Sequence, residues 1–352
     1  MSRAQPLLPL PPPARLGIAI HKLLELAGRG AIKCATPEEG ESNLRSIIEE
    51  TERSMMASWL DAHLVPLSQR LRNFEVRVIK AAALAASISN SLSELRPITD
   101  KKKSNDLFEV WVENNDGTVG GFIDRVTRDG SRISILDYKT GAISSPAQSK
   151  ISLSVKPEYE IQMRIYAALF ASTFGEWPSN LRLVPLAGLP VDVKFSEDGC
   201  RNLVDNATQL LKSTQHLIEN HRGQGRALME DLAQPGPEIC RSCLFRPGCP
   251  SYMSGVPRST NGEGWPLDVA GTLTEFRRQQ DGRIGLSLRC ESPSKRILRI
   301  RGITDDIDRH PALQEISPGD RLSLFSLARG GSPTMLAEGP MTTAYRLRAQ
   351  DE

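Results

Sequence analysis

The sequence predicts a mixed α/β domain with a helical N-terminal region, followed by a smaller all-β domain. Apolar residues repeat with a helical period over roughly the first hundred residues and alternate with period two from Leu107 onward. After the Gly-, Ser-, Pro- and Asn-rich stretch Ser254–Gly264, short alternating segments predominate. The expected organisation is a flexible proline-rich segment (1–13), the α/β domain (14–255), a linker (256–263) and the β domain (264–350).

Three periodic stretches predict the helical region, which we place at 14–100. In the first, Leu16, Ile20 and Leu23 recur at helical spacing, and the glycines at 28 and 30 provide a stop signal. The last ends before Pro97, because proline disfavours a helical conformation in the preceding residue. The predicted helices are Ala14–Arg29, Glu41–His63 and Leu67–Leu95.

A sheet is predicted over 106–195. Asn115-Asp116-Gly117 and Asp129-Gly130 are turn signals between alternating segments, which indicates a three-stranded antiparallel meander. Pro157 suits the first turn of a helix that ends near Gly175. The predicted strands are Leu107–Glu113, Val119–Thr127, Arg132–Asp137, Leu181–Pro185 and Val191–Phe195, followed by a helix at Asn202–Asn220.

The C-terminal region reads as five strands with a helix, His310–Ile316, between the third and the fourth. That order is typical of an OB-fold, a small barrel that often binds single-stranded nucleic acid. The predicted strands are Val269–Phe276, Arg283–Cys290, Arg296–Ile303, Arg321–Ala328 and an interrupted Thr334–Leu347. Arg299 and Arg301 would point outward and bind a DNA backbone. Protection of a sheet edge and docking of a protein are the alternatives.

Composition narrows the class of protein. The chain has 352 residues, 39% of them hydrophobic, and 44 basic against 42 acidic side chains. A net charge of +2 is not that of a generally basic nucleic-acid binder, so an anionic partner must be held by local charge. With no apolar run of about 18 residues and prolines near the N-terminus, we expect a cytoplasmic protein that does not bind membranes.

Two carboxylates and a lysine form the most informative group. If the hairpin turns on Asp129-Gly130, Asp124, Asp137 and Lys139 project from one face of the sheet and Tyr138 points away. Paired carboxylates bind hard divalent cations, and a neighbouring lysine can hold a water or neutralise a phosphate oxygen. The alternative is a solvated hairpin face with an Asp–Lys ion pair.

Four motifs in order carry a family resemblance. Gly17-Ile18-Ala19-Ile20-His21, G-x-x-D at Gly121–Asp124, D-Y-K at Asp137–Lys139 and Q-x-x-x-Y at Gln162–Tyr166 resemble the motifs of RecB-like nucleases in the PD-(D/E)XK superfamily. The resemblance covers roughly 14–250 and implies a restriction-endonuclease-like α/β core with one active site.

The resemblance also implies residue roles. His21, Asp124, Asp137 and the backbone carbonyl of Tyr138 would bind Mg²⁺ or Mn²⁺, and Lys139 would be the catalytic lysine. Gln162 and Tyr166, four residues apart on one helix, would line the site. Taken without its motif, His21 is better read as a partner of Glu25 one turn on.

A cysteine triplet, Cys240-x₂-Cys243-x₅-Cys249 within 238–252, predicts a metal site holding zinc or an iron–sulfur cluster. The spacing resembles that of iron–sulfur nucleases, including AddB-type subunits and CRISPR-associated exonucleases, which implies a [4Fe–4S] cluster. Their fourth cysteine usually precedes the helical histidine, and no cysteine precedes His21 here. Cys34 is the candidate, with Cys200, expected in a loop, as the alternative, whereas Cys290 is expected in a strand core.

These observations predict a metal-dependent DNA nuclease that acts on single-stranded ends or flaps in DNA repair, recombination or phage defence. The sequence has no G-x-x-x-x-G-K-[ST] motif, so unwinding would require a separate helicase or defence-system subunit. The alternative is a non-catalytic DNA-binding scaffold subunit of a helicase–nuclease complex, with a structural zinc or iron–sulfur site.

Overall fold

The computed structural model describes residues 5–94, 106–145, 154–223, 225–256, 264–290, 296–332 and 334–347. The chain divides into two compact units. The first unit comprises Pro13–Thr51 and Leu71–Leu217, and the second comprises Met1–Pro12, Glu52–Arg70 and Ile218–Glu352. The predicted linker 256–263 lies outside the described residues except for Val256. The domain boundaries given above therefore stay predictions.

The described chain begins with helices, continues through a mixed region of strands and helices, and ends with strands. The helices are α1 (Pro12–Gly28), α2 (Pro37–Met56), α3 (Leu67–Arg70), α4 (Phe74–Glu94), α5 (Pro157–Phe174), α6 (Glu197–Asn220), α7 (Gly225–Leu232), α8 (Pro237–Ser242) and α9 (Pro250–Met253). The strands are β1 (Leu107–Glu113), β2 (Gly120–Asp129), β3 (Arg132–Lys139), β4 (Ser144–Ser145), β5 (Ser154–Val155), β6 (Asn180–Pro185), β7 (Val191–Asp192), β8 (Val269–Arg278), β9 (Arg283–Arg289), β10 (Ile297–Thr304), β11 (Arg321–Phe325), β12 (Ala328–Arg329), β13 (Met335–Ala337) and β14 (Thr343–Leu347).

The helical region follows the predicted periodicity with two breaks. The helix predicted at Glu41–His63 ends at Met56, and only a short 3₁₀ turn, Ala62–Leu64, follows it. Leu16, Ile20 and Leu23 of α1 are fully buried, as their spacing requires. The single helix predicted at Leu67–Leu95 is wrong, because the chain forms α3 and α4 on either side of a turn. Asn73 in that turn has φ 59°, a left-handed conformation that asparagine tolerates and that interrupts a right-handed helix.

The first unit contains a five-stranded mixed sheet with the order β1-β2-β3-β6-β7, in which only β3 and β6 are parallel. The intervening helix α5 begins with Pro157 and ends at Gly175, which has φ 77°. Its buried side chains pack with those of the sheet and with Val204 of α6 in one apolar core. This is a mixed α/β core consistent with a restriction-endonuclease-like fold.

The β2–β3 turn lies one residue later than predicted, which shifts the pairing register by two residues. Asp129 pairs with Arg132, so the turn is Gly130-Ser131 and Gly130 has φ 59°. Arg125 therefore lies opposite Leu136 rather than Ser134. Because side chains alternate with period two, an even shift preserves the predicted faces over the paired residues Arg125–Asp129. Asp124, just beyond them, lies beside β3, since its carboxylate accepts a hydrogen bond from the Tyr138 N–H.

The second unit contains a seven-stranded sheet with the order β12-β13-β10-β9-β8-β11-β14. The predicted fifth strand is interrupted: β13 pairs with β10 and β14 pairs with β11. Thr342 bonds the main chain of Gly339 between these strands, which forms a tight turn. Only five residues connect β13 to β14, although these strands lie near opposite ends of the sheet. The sheet must therefore curve, and it forms a half-barrel.

The helix predicted at His310–Ile316 is wrong. Only Pro311–Leu313 form a short 3₁₀ turn there. Glu315 has φ 55°, and this left-handed residue ends the turn before an α-helix can form. Among the described residues, no helix is both long and apolar enough to cross a bilayer.

A buried ion pair joins the cysteine-containing loop to the second sheet. Arg246 and Asp268 have side chains that are 4% and 1% exposed, and Arg246 Nε lies 2.6 Å from Asp268 Oδ2. Asp268 also accepts hydrogen bonds from the Tyr252 hydroxyl and the Ser326 amide. The N-terminal segment contributes here too, because buried Leu8 donates its N–H to the Leu244 carbonyl.

Candidate active site

The site forms where α1 meets the middle of the sheet in the first unit. Asp124 lies on β2, Asp137 and Lys139 lie on the adjacent β3, and His21 lies on α1. His21 Nδ1 is 3.3 Å from Asp124 Oδ1. Glu25, the alternative partner of the histidine, pairs with Lys22 and Arg29 instead. The geometry therefore favours the interpretation of His21 from its motif.

Two motif glycines allow the site elements to approach closely. A Cβ atom on Gly17 would lie 3.0 Å from Thr140 Oγ1, just beyond the end of β3. A Cβ atom on Gly121 would lie 3.1 Å from Tyr166 Cε1 on α5. Both distances are shorter than an ordinary van der Waals contact. Glycine at these positions therefore allows α1 and α5 to reach the sheet beside the polar residues.

Lys139 is held from two directions. Its Nζ lies 2.6 Å from Asp137 Oδ2 and donates a hydrogen bond of 2.8 Å to Gln162 Oε1. Gln162 Nε2 in turn donates to the Tyr166 hydroxyl at 3.0 Å, and Nζ stands 4.6 Å from the centre of the Tyr159 ring. The Q-x-x-x-Y motif thus fixes the lysine head group. The Lys139 side chain is only 14% exposed to solvent.

The main chain of β3 also enters the site at Tyr138. Its amide N–H donates a hydrogen bond of 2.6 Å to Asp124 Oδ2. The Tyr138 side chain is buried beside Arg125, on the other side of the sheet, as predicted. This hydrogen bond fixes the Asp124 carboxylate relative to the next strand.

The electrostatics of the site favour a bound cation. Burial, and then the negative charge of Asp124, raise the pKa of Asp137, although Lys139 opposes the shift. Burial lowers the pKa of His21, but the hydrogen bond and charge of Asp124 outweigh it, so this pKa is raised overall. Crowded carboxylates with low exposure are costly when charged, and a divalent cation would remove that cost. The residues present therefore fit Mg²⁺ or Mn²⁺.

Sequence reasoning missed Glu109. Ligand atoms of His21, Glu109 and Asp124 all lie within 4.8 Å of one another. Glu109 lies on β1, outside the four motifs, and its contribution depends on the β1–β2 register. No local sequence signal marks Glu109; only the pairing of β1 with β2 places it opposite Asp124.

The predicted iron–sulfur ligands are distributed over both units. Cys240, Cys243 and Cys249 belong to the second unit, and Cys240 is buried with Leu8, Tyr252 and Phe325. Cys34 and Cys200 belong to the first unit and are both buried. Cys200 lies in the first turn of α6 rather than in a loop, and burial raises its pKa to about 11. Cys290 is in the core of the second sheet, as predicted.

The arginines predicted to bind DNA alternate with core residues along β10. Leu298 and Ile300 are buried, whereas Arg299 and Arg301 are exposed. β10 pairs with β9 on one side and β13 on the other. Because β10 is an interior strand, protection of a sheet edge does not account for these arginines.

Comparison with known proteins identifies the family. A search of the curated proteins finds no match. Among solved structures, one similar chain is the crystal structure of SSO0001, with 14% identity, coverage of 68% of this chain and 96% of that one, and a TM-score of 0.26. Another is a murine DNA-binding protein bound to double-stranded DNA, with 9% identity, coverage of 65% and 85%, and a TM-score of 0.22. The model of the PD-(D/E)XK nuclease superfamily matches residues 4–250, and the chain belongs to this superfamily.

Proposed function

We propose that this protein is a metal-dependent deoxyribonuclease of the RecB-like branch. The observation that carries the proposal is the arrangement of Lys139, which Asp137 and Gln162 hold beside Asp124 and His21. An ordinary exposed Asp–Lys pair would require neither a buried aspartate nor a second helix to hold its lysine. A non-catalytic scaffold would have no use for this arrangement.

The proposed roles follow from the contacts. His21, Asp124, Asp137 and the Tyr138 carbonyl hold Mg²⁺ or Mn²⁺, which would stabilise negative charge developing on the scissile phosphate. Lys139 positions the attacking water or neutralises a phosphate oxygen. Gln162 keeps the lysine head group in place, and Tyr166 orients Gln162.

The proposed substrate is single-stranded DNA, cut at ends or flaps. Support comes from the second sheet, which we propose to be a diverged OB-like module. The parallel β10–β13 pair and the antiparallel β11–β14 pair are both OB-like, with the fifth strand interrupted between them. The exposed Arg299 and Arg301 on its interior strand would contact the phosphate backbone.

We also propose a [4Fe–4S] cluster on Cys240, Cys243 and Cys249, with zinc as the alternative. Support comes from the sequence spacing, which puts three cysteines within ten residues of a segment anchored by buried Arg246, although the described structure does not gather their thiols into a ligand cluster. The fourth ligand, Cys34 or Cys200, stays a prediction. Anaerobically purified protein should be brown, with absorption near about 400 nm. Equimolar zinc without iron would contradict the cluster.

The function is tested with end-labelled single-stranded and double-stranded DNA, and with RNA of the same sequence. The protein should degrade single-stranded DNA with Mg²⁺ or Mn²⁺ and be inactive in EDTA. Cleavage of RNA alone would overturn the proposed DNA substrate, and failure to cleave any nucleic acid with either cation would overturn the proposed enzymatic activity.

A separate helicase or defence-system partner in repair, recombination or phage defence is proposed only because the sequence lacks a helicase P-loop.

A further inference from the structure

Glu109 lies directly across the sheet from Asp124. The flanking β1–β2 pairs are Phe108 with Arg125 and Val110 with Ile123, which places Glu109 opposite Asp124. Like charges directly opposite each other destabilise a sheet pair. Both side chains are partly shielded from solvent, which increases this cost. A positive charge between the two carboxylates would remove this cost.

The nearby basic side chains, His21 and Arg29, only partly offset this cost: burial, and then the charge of Asp124, still raise the pKa of Glu109. Its carboxylate forms no ion pair or hydrogen bond with any other residue in the described part of the chain. Lys139 is engaged by Asp137 and Gln162. Arg29 binds the Glu25 carboxylate through Nη1 and the Phe108 carbonyl oxygen through Nη2. Neither nitrogen binds the Glu109 carboxylate.

The main chain holds Glu109 in this position. Its φ is 49°, which is uncommon for a residue other than glycine. Arg29 Nη2 lies 3.1 Å from the Phe108 carbonyl oxygen and 3.5 Å from that of Glu109, so the arginine contacts the strand at this irregular point. Gly28 permits the approach of α1, because a Cβ atom there would lie 2.2 Å from Cε1 of Phe108.

We propose that Glu109 binds a divalent cation together with His21 and Asp124. Their ligand atoms all lie within 4.8 Å of one another, and an imidazole with two carboxylates is a donor set that suits Mn²⁺. Glu109 is not among the motif residues. Glu109 thus adds a carboxylate from β1 to the ligands proposed above on α1, β2 and β3. This inference rests on the proposed function only in treating the site as a metal centre.

The test measures Mn²⁺ binding without DNA, by isothermal titration calorimetry and by the loss of the free Mn²⁺ signal in electron paramagnetic resonance. Glu109→Gln should raise the Kd for Mn²⁺ at least about tenfold, because it replaces a charged ligand with a neutral amide of the same shape. Glu113→Gln is the matched control, since this exposed glutamate lies four residues along the same strand and bonds Trp111. Its Kd should equal that of the wild type.

The outcomes separate this inference from the proposed nuclease. An unchanged Kd in Glu109→Gln, with folding confirmed by circular dichroism, would overturn the role of Glu109 even if the wild type cleaves DNA. A tenfold weaker Kd in a protein that cleaves nothing would support Glu109 as a ligand and refute the nuclease. If Glu109→Gln fails to fold, Glu109→Asp is measured instead, and unaltered Mn²⁺ affinity in that shorter side chain also counts against the proposal.

Discussion

Replacing Asp268 with asparagine should cost more stability than replacing any exposed aspartate. The Asp268 side chain is 1% exposed and receives an Arg246 guanidinium at 2.6 Å, a tyrosine hydroxyl at 2.7 Å and the Ser326 amide at 2.7 Å. Asp268→Asn leaves the Arg246 charge buried without its counter-ion. Breaking a buried pair from one side costs about 3–5 kcal/mol, a large part of a typical total of about 5–15 kcal/mol.

Urea unfolding followed by circular dichroism measures this cost, with Asp192→Asn as the control. The Arg182–Asp192 pair has side chains 42% and 56% exposed, so its loss should cost less than about 1 kcal/mol. A second arm combines Asp268→Asn with Arg246→Met, which removes the orphaned charge and should recover part of the loss. Equal effects of Asp268→Asn and Asp192→Asn would refute the argument that the buried pair anchors the cysteine loop.

Three further predictions concern catalysis, pH and DNA binding. Lys139→Met should lower nuclease turnover at least about 10²-fold with an unchanged circular dichroism spectrum. Lys194→Met, at an exposed position, should leave turnover unchanged. Equal turnover of the two variants would contradict the role of Lys139. Burial and the charge of Arg309 lower the pKa of His63 to about 4, so the unfolded chain binds the proton more tightly and stability should fall as the pH drops from about 6.5 to 4. His63→Gln should flatten that slope in thermal unfolding scans, and an identical slope would count against it. The double substitution Arg299→Ala/Arg301→Ala should weaken single-stranded DNA binding and reduce its salt slope by about 0.7 per lost phosphate contact, measured by fluorescence anisotropy; an unchanged slope would favour docking of a protein on β10.

The parts of the fold that depend on local periodicity were predictable from the sequence. The alternation of β10 placed Leu298 and Ile300 inside and both arginines outside. The helix from Pro157 to Gly175 was also predicted, because proline in the first turn and glycine after the last are local signals. Periods of 3.6 and 2 identify elements without any knowledge of their partners.

Features that depend on single backbone conformations were not predictable. Left-handed residues at Asn73 and Glu315 break two segments that apolar spacing marks as continuous helices. The β2–β3 turn was misplaced by one residue, because Asp-Gly and Gly-Ser are both acceptable turn pairs. The error did not affect the site, since a register shift of two residues preserves the faces of a strand.

The candidate site was predictable where its residues carry motifs. Residues of these motifs lie together, since His21 contacts Asp124 and Gln162 contacts Lys139. Glu109 carries no motif, and its proximity to Asp124 arises from pairing between strands. Only the alignment of β1 with β2 reveals it.

Asp124 is proposed to hold a divalent cation for cleavage of DNA. The most direct measurement is the rate of Mg²⁺-dependent cleavage of labelled single-stranded DNA by Asp124→Asn, compared with Asp129→Asn at the exposed end of the same strand. We predict a rate at least about 10²-fold below the wild type for Asp124→Asn and a wild-type rate for Asp129→Asn. Wild-type, EDTA-sensitive cleavage by a folded Asp124→Asn variant would contradict cation binding by Asp124 as the basis of cleavage.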